Sequence, residues 1–165
     1  MSERTFVLLK PLGLGSFIRE IMGALRGVGT IARRELKVVS RELVAAHYAE
    51  HTQKPFFHRL LEYYDGQTIM AVIVEGPDVV ARVRAALGPA DPRKAAPGQL
   101  RHLIFTRWRD GEQGWRAIEL ATSGVDNLVH ASDSPEAAER EIALWFPGER
   151  SKMKKMRCLA DLATP

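Results

Sequence analysis

A chain of 165 residues is long enough for one substantial hydrophobic core, and 45% apolar with 27% charged residues excludes wholesale disorder. The net charge of +4 is modest for that size and argues against a chain built mainly to neutralise a polyanion. Its single cysteine, Cys158, excludes an internal disulfide and any multi-cysteine metal site, and fits a reducing, cytoplasmic setting.

Met1-Ser2-Glu3-Arg4 leads straight into an apolar run with no signal-type segment, and no apolar run has the length of a bilayer span, so no membrane partner is expected. Thr5-Phe6-Val7-Leu8-Leu9 reads as a strand, ended at Lys10-Pro11 because proline cannot continue a ladder. Gly13 and Gly15 read as a turn. Phe17, Ile18, Ile21, Met22, Leu25 and Val28 then recur at helical spacing until Gly27 and Gly29. A strand follows over Thr30 to Val39, with Leu36 and Val38 on one face. Ser40 is placed to cap a helix from Arg41 to about Glu50.

Lys54-Pro55-Phe56-Phe57 opens a helix whose apolar side is Phe57, Leu60, Leu61 and Tyr64, and Asp65-Gly66 turns the chain. Thr68 to Val74, nearly all apolar and β-branched, has the pattern of a central strand buried on both faces. Gly76-Pro77-Asp78 opens a helix carrying Val79, Val80, Val83 and Leu87, and a proline-rich loop covers Gly88 to Gly98. Residues 103–121 read as a β-hairpin turning over Arg109-Asp110-Gly111-Glu112-Gln113-Gly114, with Trp108 and Trp115 on its arms. Asn127 to His130 is the last strand and Pro135 to Phe146 the last patterned helix. This order predicts an α+β, ferredoxin-like sandwich of the split βαβ kind, an antiparallel sheet with helices on one face, plus the inserted hairpin. Residues 1–146 form one domain and 147–165 a tail. Arg150, Lys152, Lys154, Lys155 and Arg157 in that tail read as a solvated end; with no aromatic-basic motif, nucleic acid is not an expected partner.

Lys10-Pro11-Leu12-Gly13-Leu14-Gly15 puts its lysine before the glycines, the reverse of a P-loop. His47 and His51, four apart on a helix, lack the glutamate and third ligand of a zinc site and read as structural or solvated. His130 is different. It ends a strand where a helix begins, and a neutral imidazole is nucleophilic near pH 7. Glu141, two turns into the following helix, is spaced to reach back and orient it, as a triad's third member does.

The blocks Glu3 to Pro11, His47-Tyr48-Ala49-Glu50-His51, Lys54-Pro55-Phe56-Phe57, Ala95-Ala96-Pro97-Gly98, Asn127-x-x-His130-x-Ser132-Asp133-Ser134 and Glu139-x-Glu141 to Phe146 together resemble nucleoside diphosphate kinases, in collinear order. The resemblance implies transfer of a γ-phosphate from a nucleoside triphosphate to a nucleoside diphosphate through a phosphohistidine on His130. It implies that Lys10 and Asn127 bind the ribose and Tyr48 flanks the histidine. Phe56 would stack on the base, Arg82 and Arg101 hold phosphates, and Ser132 and Glu141 position the imidazole. Mg²⁺, held mainly by the nucleotide, and a homo-oligomer (tetramer or hexamer) are further implications. Leu12 stands where the family has aspartate, Ala90 where it has threonine, and the segment from Arg101 to Asn127 is longer than usual. These departures leave a second reading open, a nucleotide-binding regulatory module of the same fold with weak or no kinase activity.

Overall fold

The computed structural model describes residues 2–107 and 112–149. Four strands form one antiparallel sheet in the order β2-β3-β1-β4: β1 (Glu3–Leu9), β2 (Thr30–Val38), β3 (Thr68–Gly76) and β4 (Val129–Ala131). Side chains alternate across a strand, so a strand apolar at every position must be covered on both faces. β1 and β3 are such strands, and they occupy the middle of the sheet.

The helices accordingly pack on both faces, not on one. Val7 and Leu9 of β1 join Met70, Val72 and Val74 of β3 beneath α2 (Ile18–Val28) and α5 (Val79–Leu87). Phe6 and Leu8 join Ile69, Ala71 and Ile73 on the opposite side, beneath α3 (Arg41–His47), α4 (Phe57–Tyr64) and α8 (Pro135–Trp145). Ser40 caps α3 by accepting the amide of Leu43, and Ser134 caps α8 by accepting that of Ala137.

Two stretches depart from the sequence reading. Pro11–Ser16 is a helix, α1, not a glycine turn. Pro11 supplies the fixed φ of a first helical position, and Gly13 is needed for packing: a Cβ there would collide with the carbonyl oxygen of Leu128. The expected hairpin is a pair of helices, α6 (Leu103–Arg107) and α7 (Glu112–Thr122). In α7, Ala117 and Ala121 are four apart and buried, and Ile118 packs against the core. Trp115 faces outward, 66% exposed. Glu112, Gln113 and Gly114, expected in the turn, open α7 instead, while Trp108 and residues 109–111 lie outside the described residues, as does the basic tail from residue 150 onward.

Candidate active site

Leu8 of β1 pairs with His130 of β4, which sets the imidazole at the sheet's edge beside the start of α8. A cavity of about 550 Å³ opens there. The approach to His130 is unusual in its backbone. Leu128 is a buried leucine with φ of 74°, a region costing roughly 1–2 kcal/mol for an L-residue. It is held from both sides: Asp126 Oδ1 accepts its amide at 3.0 Å, and its carbonyl accepts the amide of Lys10 at 3.0 Å. Asp126 Oδ2 meanwhile accepts the amide of Leu12 and the hydroxyl of Tyr63. One fully buried carboxylate thus ties the beginning of α1 to the strand that carries the histidine.

His130 Nε2 lies 3.1 Å from Glu141 Oε2, and the Ser132 hydroxyl donates to the same oxygen at 2.6 Å. An anionic carboxylate only accepts, so the histidine proton sits on Nε2 and Nδ1 keeps its lone pair. Burial, then the charges of Lys10, Arg101 and Arg84, push the His130 pKa down to about 3. Burial raises that of Glu141, opposed by His47 and by the Ser132 hydrogen bond. The ring therefore stays neutral through the physiological range, with 23% of its side chain exposed at the cavity.

Cations surround it. The Lys10 ammonium is buried, donates to the Val125 carbonyl at 3.3 Å and sits 6.0 Å from the Tyr48 ring centre. Burial drives its pKa down to about 8, partly opposed by Asp126 and reinforced by Arg101. Arg101 donates to the carbonyls of Gly88 and Val129, at 2.6 and 2.8 Å, so that its guanidinium is fixed beside β4. Burial and the neighbouring Arg84 bring its pKa to about 10. Asn127 donates to the Ala90 carbonyl at 2.7 Å, leaving its side-chain oxygen buried and without a partner among the described residues. Tyr48 is buried against His130, ring centres 6.2 Å apart, and burial raises its pKa. Half-buried Phe56 lines the far part of the cavity.

Eight of the nine residues singled out from the sequence converge here: Lys10, Tyr48, Phe56, Arg101, Asn127, His130, Ser132 and Glu141. Arg82 does not. It is exposed on the other side of α5, its guanidinium 3.5 Å from the Gly27 carbonyl, and Arg84 lines the cavity instead. Two residues apart on a helix is about 200° of rotation, so only one of the pair can face the cleft. A helical wheel drawn against buried Val80 and Val83 was the signal that would have separated them. The end of α7 also contributes Thr122, Ser123 and Gly124 to one wall. No periodicity in a segment read as a hairpin would have pointed to that.

The sequence matches the family described as nucleoside diphosphate kinase over residues 3–151. It is 47% identical to the nucleoside diphosphate kinase of Mycolicibacterium smegmatis over 152 residues, covering 90% of this chain and 98% of that one. It is also 47% identical to that of Mycobacterium leprae over 151 residues, 90% and 99% of the two chains. Among solved structures it resembles a nucleoside diphosphate kinase from Encephalitozoon cuniculi, with a TM-score of 0.72, 28% identity and coverage of 87% and 88%. A nucleoside diphosphate kinase family protein from Babesia bovis aligns with a TM-score of 0.70 and 31% identity over 89% and 90%. With the ferredoxin-like sheet and this cleft in hand, the chain belongs to the nucleoside diphosphate kinase family, a family of nucleotide-binding phosphotransferases.

Proposed function

We propose that the chain moves a γ-phosphate between nucleotides through a phosphohistidine at His130. The observation that carries this reading is the neutral imidazole whose Nε2 is tied to Glu141 and whose free Nδ1 shares a cavity with Lys10, Arg84 and Arg101. Nδ1 attacks the γ-phosphorus, an N–P bond forms, and the bond from phosphorus to the β–γ bridging oxygen breaks. The departing nucleoside diphosphate carries that oxygen away as a phosphate anion. The Nε2 proton stays opposite Glu141, so the imidazolium-like phosphohistidine keeps an anionic partner. A second nucleoside diphosphate then attacks the same phosphorus from its terminal phosphate oxygen and restores the neutral ring.

Such a transfer needs alignment and charge neutralisation more than covalent machinery, which is what fixed cations and an oriented nucleophile provide. Phe56 offers a ring for base stacking, and Asn127 and Lys10 offer the ribose an acceptor and a donor. Stacking and ribose contacts are common to all nucleotides, and broad base tolerance follows.

Mg²⁺ belongs to this reading as a companion of the substrate. Two carboxylates lining the cavity are already engaged, Glu141 by His130 and Ser132 and Asp91 by Arg93, and the nucleotide's phosphate oxygens would be the ion's main ligands. When bound, it would neutralise phosphate charge during the transfer. We also place the protein in the cytoplasm as a homo-oligomer, tetramer or hexamer. The single cysteine supports the first, and the exposed apolar pair Leu36 and Val38 on the edge strand β2 supports the second. Among the described residues no helix is long and apolar enough to cross a membrane.

The test is incubation with γ-labelled ATP. Acid-labile, alkali-stable label on the wild type, absent from His130→Ala, is the expected result. No label on the wild type, or equal label on both, would leave only a nucleotide-binding module.

A further inference from the structure

Residues 125–128 hold Lys10 at both of its ends. The Val125 carbonyl accepts its ammonium at 3.3 Å, and the Leu128 carbonyl accepts its backbone amide at 3.0 Å. From α4, the Tyr64 hydroxyl donates to that same Val125 carbonyl at 3.1 Å and steadies it. Between the two carbonyls lies Asp126, fully buried. Its Oδ1 accepts the amide of Leu128 at 3.0 Å, and its Oδ2 accepts the amide of Leu12 at 2.9 Å and the hydroxyl of Tyr63 at 2.8 Å. Leu12, which stands where the family has aspartate, brings no carboxylate to this turn, and its amide meets that of Asp126 instead.

All three partners donate, an arrangement that favours the Asp126 anion against the cost of its burial. Burial pushes its pKa up, and Lys10 opposes that rise ahead of the three hydrogen bonds. The influence is mutual. Burial brings the Lys10 pKa down to about 8, and Asp126 opposes the fall while Arg101 adds to it. Among the described residues, the other titratable groups around the ammonium are His47 and Tyr48 from α3, Tyr64 from α4, Arg101 from the segment before α6 and His130 from β4. All of these are neutral or positive, which leaves Asp126 as the source of negative charge.

We propose that Asp126 is a positioning residue for the transfer: it fixes the segment that grips Lys10 and supplies the buried negative charge that offsets the ammonium. Its two oxygens are spent on Leu12, Tyr63 and Leu128, so it acts on Lys10 through its field and not as a competing ligand. The ammonium's remaining N–H groups are left to the phosphate. Asp126 itself does not touch the nucleotide.

The assignment rests on Lys10 meeting the transferred phosphate, but its test reads the two charges directly. In protein carrying ¹³C-labelled lysine, the Lys10 signal, identified by its loss in Lys10→Arg, should titrate near pH 8 in the wild type. In Asp126→Asn it should titrate near pH 7, the scale of losing a nearby opposite charge, and the alkaline limb of kcat/KM should move down with it. Tyr63→Phe removes a hydrogen bond but not the charge, and should leave both near pH 8. If Asp126→Asn does not fold, the coupling is read from the other side: the Asp126 carboxyl should titrate at a higher pH in Lys10→Met than in the wild type. A Lys10 signal and kinetic limb unmoved in Asp126→Asn, even with activity lowered at every pH, would give Asp126 a merely structural role and overturn the proposal. So would a Tyr63→Phe limb displaced as far as that of Asp126→Asn, a carboxyl unmoved in Lys10→Met, or a wild-type Asp126 protonated at pH 7. A wild type that takes up no phosphate label defeats the proposed transfer while leaving these titrations intact.

Discussion

His130 and Glu141 are 11 residues apart in sequence and meet at 3.1 Å, Nε2 to Oε2, because one closes a strand and the other lies on the helix that follows it. Ser132 donates to the same carboxylate oxygen at 2.6 Å, so the acceptor cannot drift from the ring. Glu141→Gln keeps the shape but replaces an anion with a neutral amide. A charge-assisted hydrogen bond contributes roughly 1.5–3 kcal/mol, so kcat should fall by about tenfold to a hundredfold. The nucleotide KM should hardly move, since Glu141 orients the nucleophile and not the substrate. Rapid-quench measurement of phosphohistidine formation checks both halves of that statement.

Much of this arrangement is legible in the amino-acid sequence. The four strands announce themselves through β-branched and apolar runs, and Glu141 follows from counting helical turns after His130. What stayed hidden was set by contacts distant in sequence. Gly13 and Gly15 look like a turn because the collision that demands a small residue at Gly13 involves Leu128, far along the chain. The region 103–121 looks like a hairpin because Arg109-Asp110-Gly111 is a good turn and Trp, Ile and Phe favour strands. Burial of Ala117 and Ala121 against the core overrides that preference and winds α7, which then supplies Thr122 to Gly124 to the cleft. The pairing of His47 with Trp145 is a tertiary contact that no local pattern encodes.

Arg82 and Arg84 provide a paired comparison on one helix. Arg84 lines the cavity and lowers the pKa of both His130 and Arg101, whereas Arg82 lies against Gly27 on the exposed side. Arg84→Ala should raise the KM for ATP by about tenfold to a hundredfold, as expected for losing a charge-assisted phosphate contact. Arg82→Ala should stay within about twofold, in line with ordinary surface substitutions. Steady-state kinetics on the two variants decide between them, and equal effects would remove Arg84 from the phosphate site.

The pH profile separates the nucleophile from its cations. An unperturbed histidine, with a pKa of about 6.5, would cost roughly fivefold in rate between pH 6.5 and 5.5. His130 is held at about 3, so kcat/KM should be flat from roughly pH 5 to 7. Lys10, lowered to about 8, is charged below that value and neutral above it. Phosphate attraction is therefore lost as pH rises, and kcat/KM should fall through an alkaline limb near pH 8. Bound phosphate favours the ammonium form, so the limb in kcat should lie higher than the limb in kcat/KM. A fall centred near pH 6.5 would show instead that the nucleophile titrates normally.

The last prediction concerns β2, whose residues alternate along the free edge of the sheet. Leu36 and Val38 project from it at 62% and 73% exposure, and among the described residues β2 pairs only with β3. An apolar edge strand with unpaired backbone groups is a template for another strand, which proteins either blunt with charge or cover. Here its outer residues are apolar at the end nearest α3, so a second copy of the chain is the cover we propose. Leu36→Lys with Val38→Lys places two cations on that face at little cost to the isolated subunit. Light scattering after size-exclusion chromatography should show the wild type as an oligomer and the double variant shifted to a smaller species. Far-UV circular dichroism should remain unchanged. A wild type that runs as a monomer, or a double variant of unchanged mass, would mean that this edge is not where subunits meet.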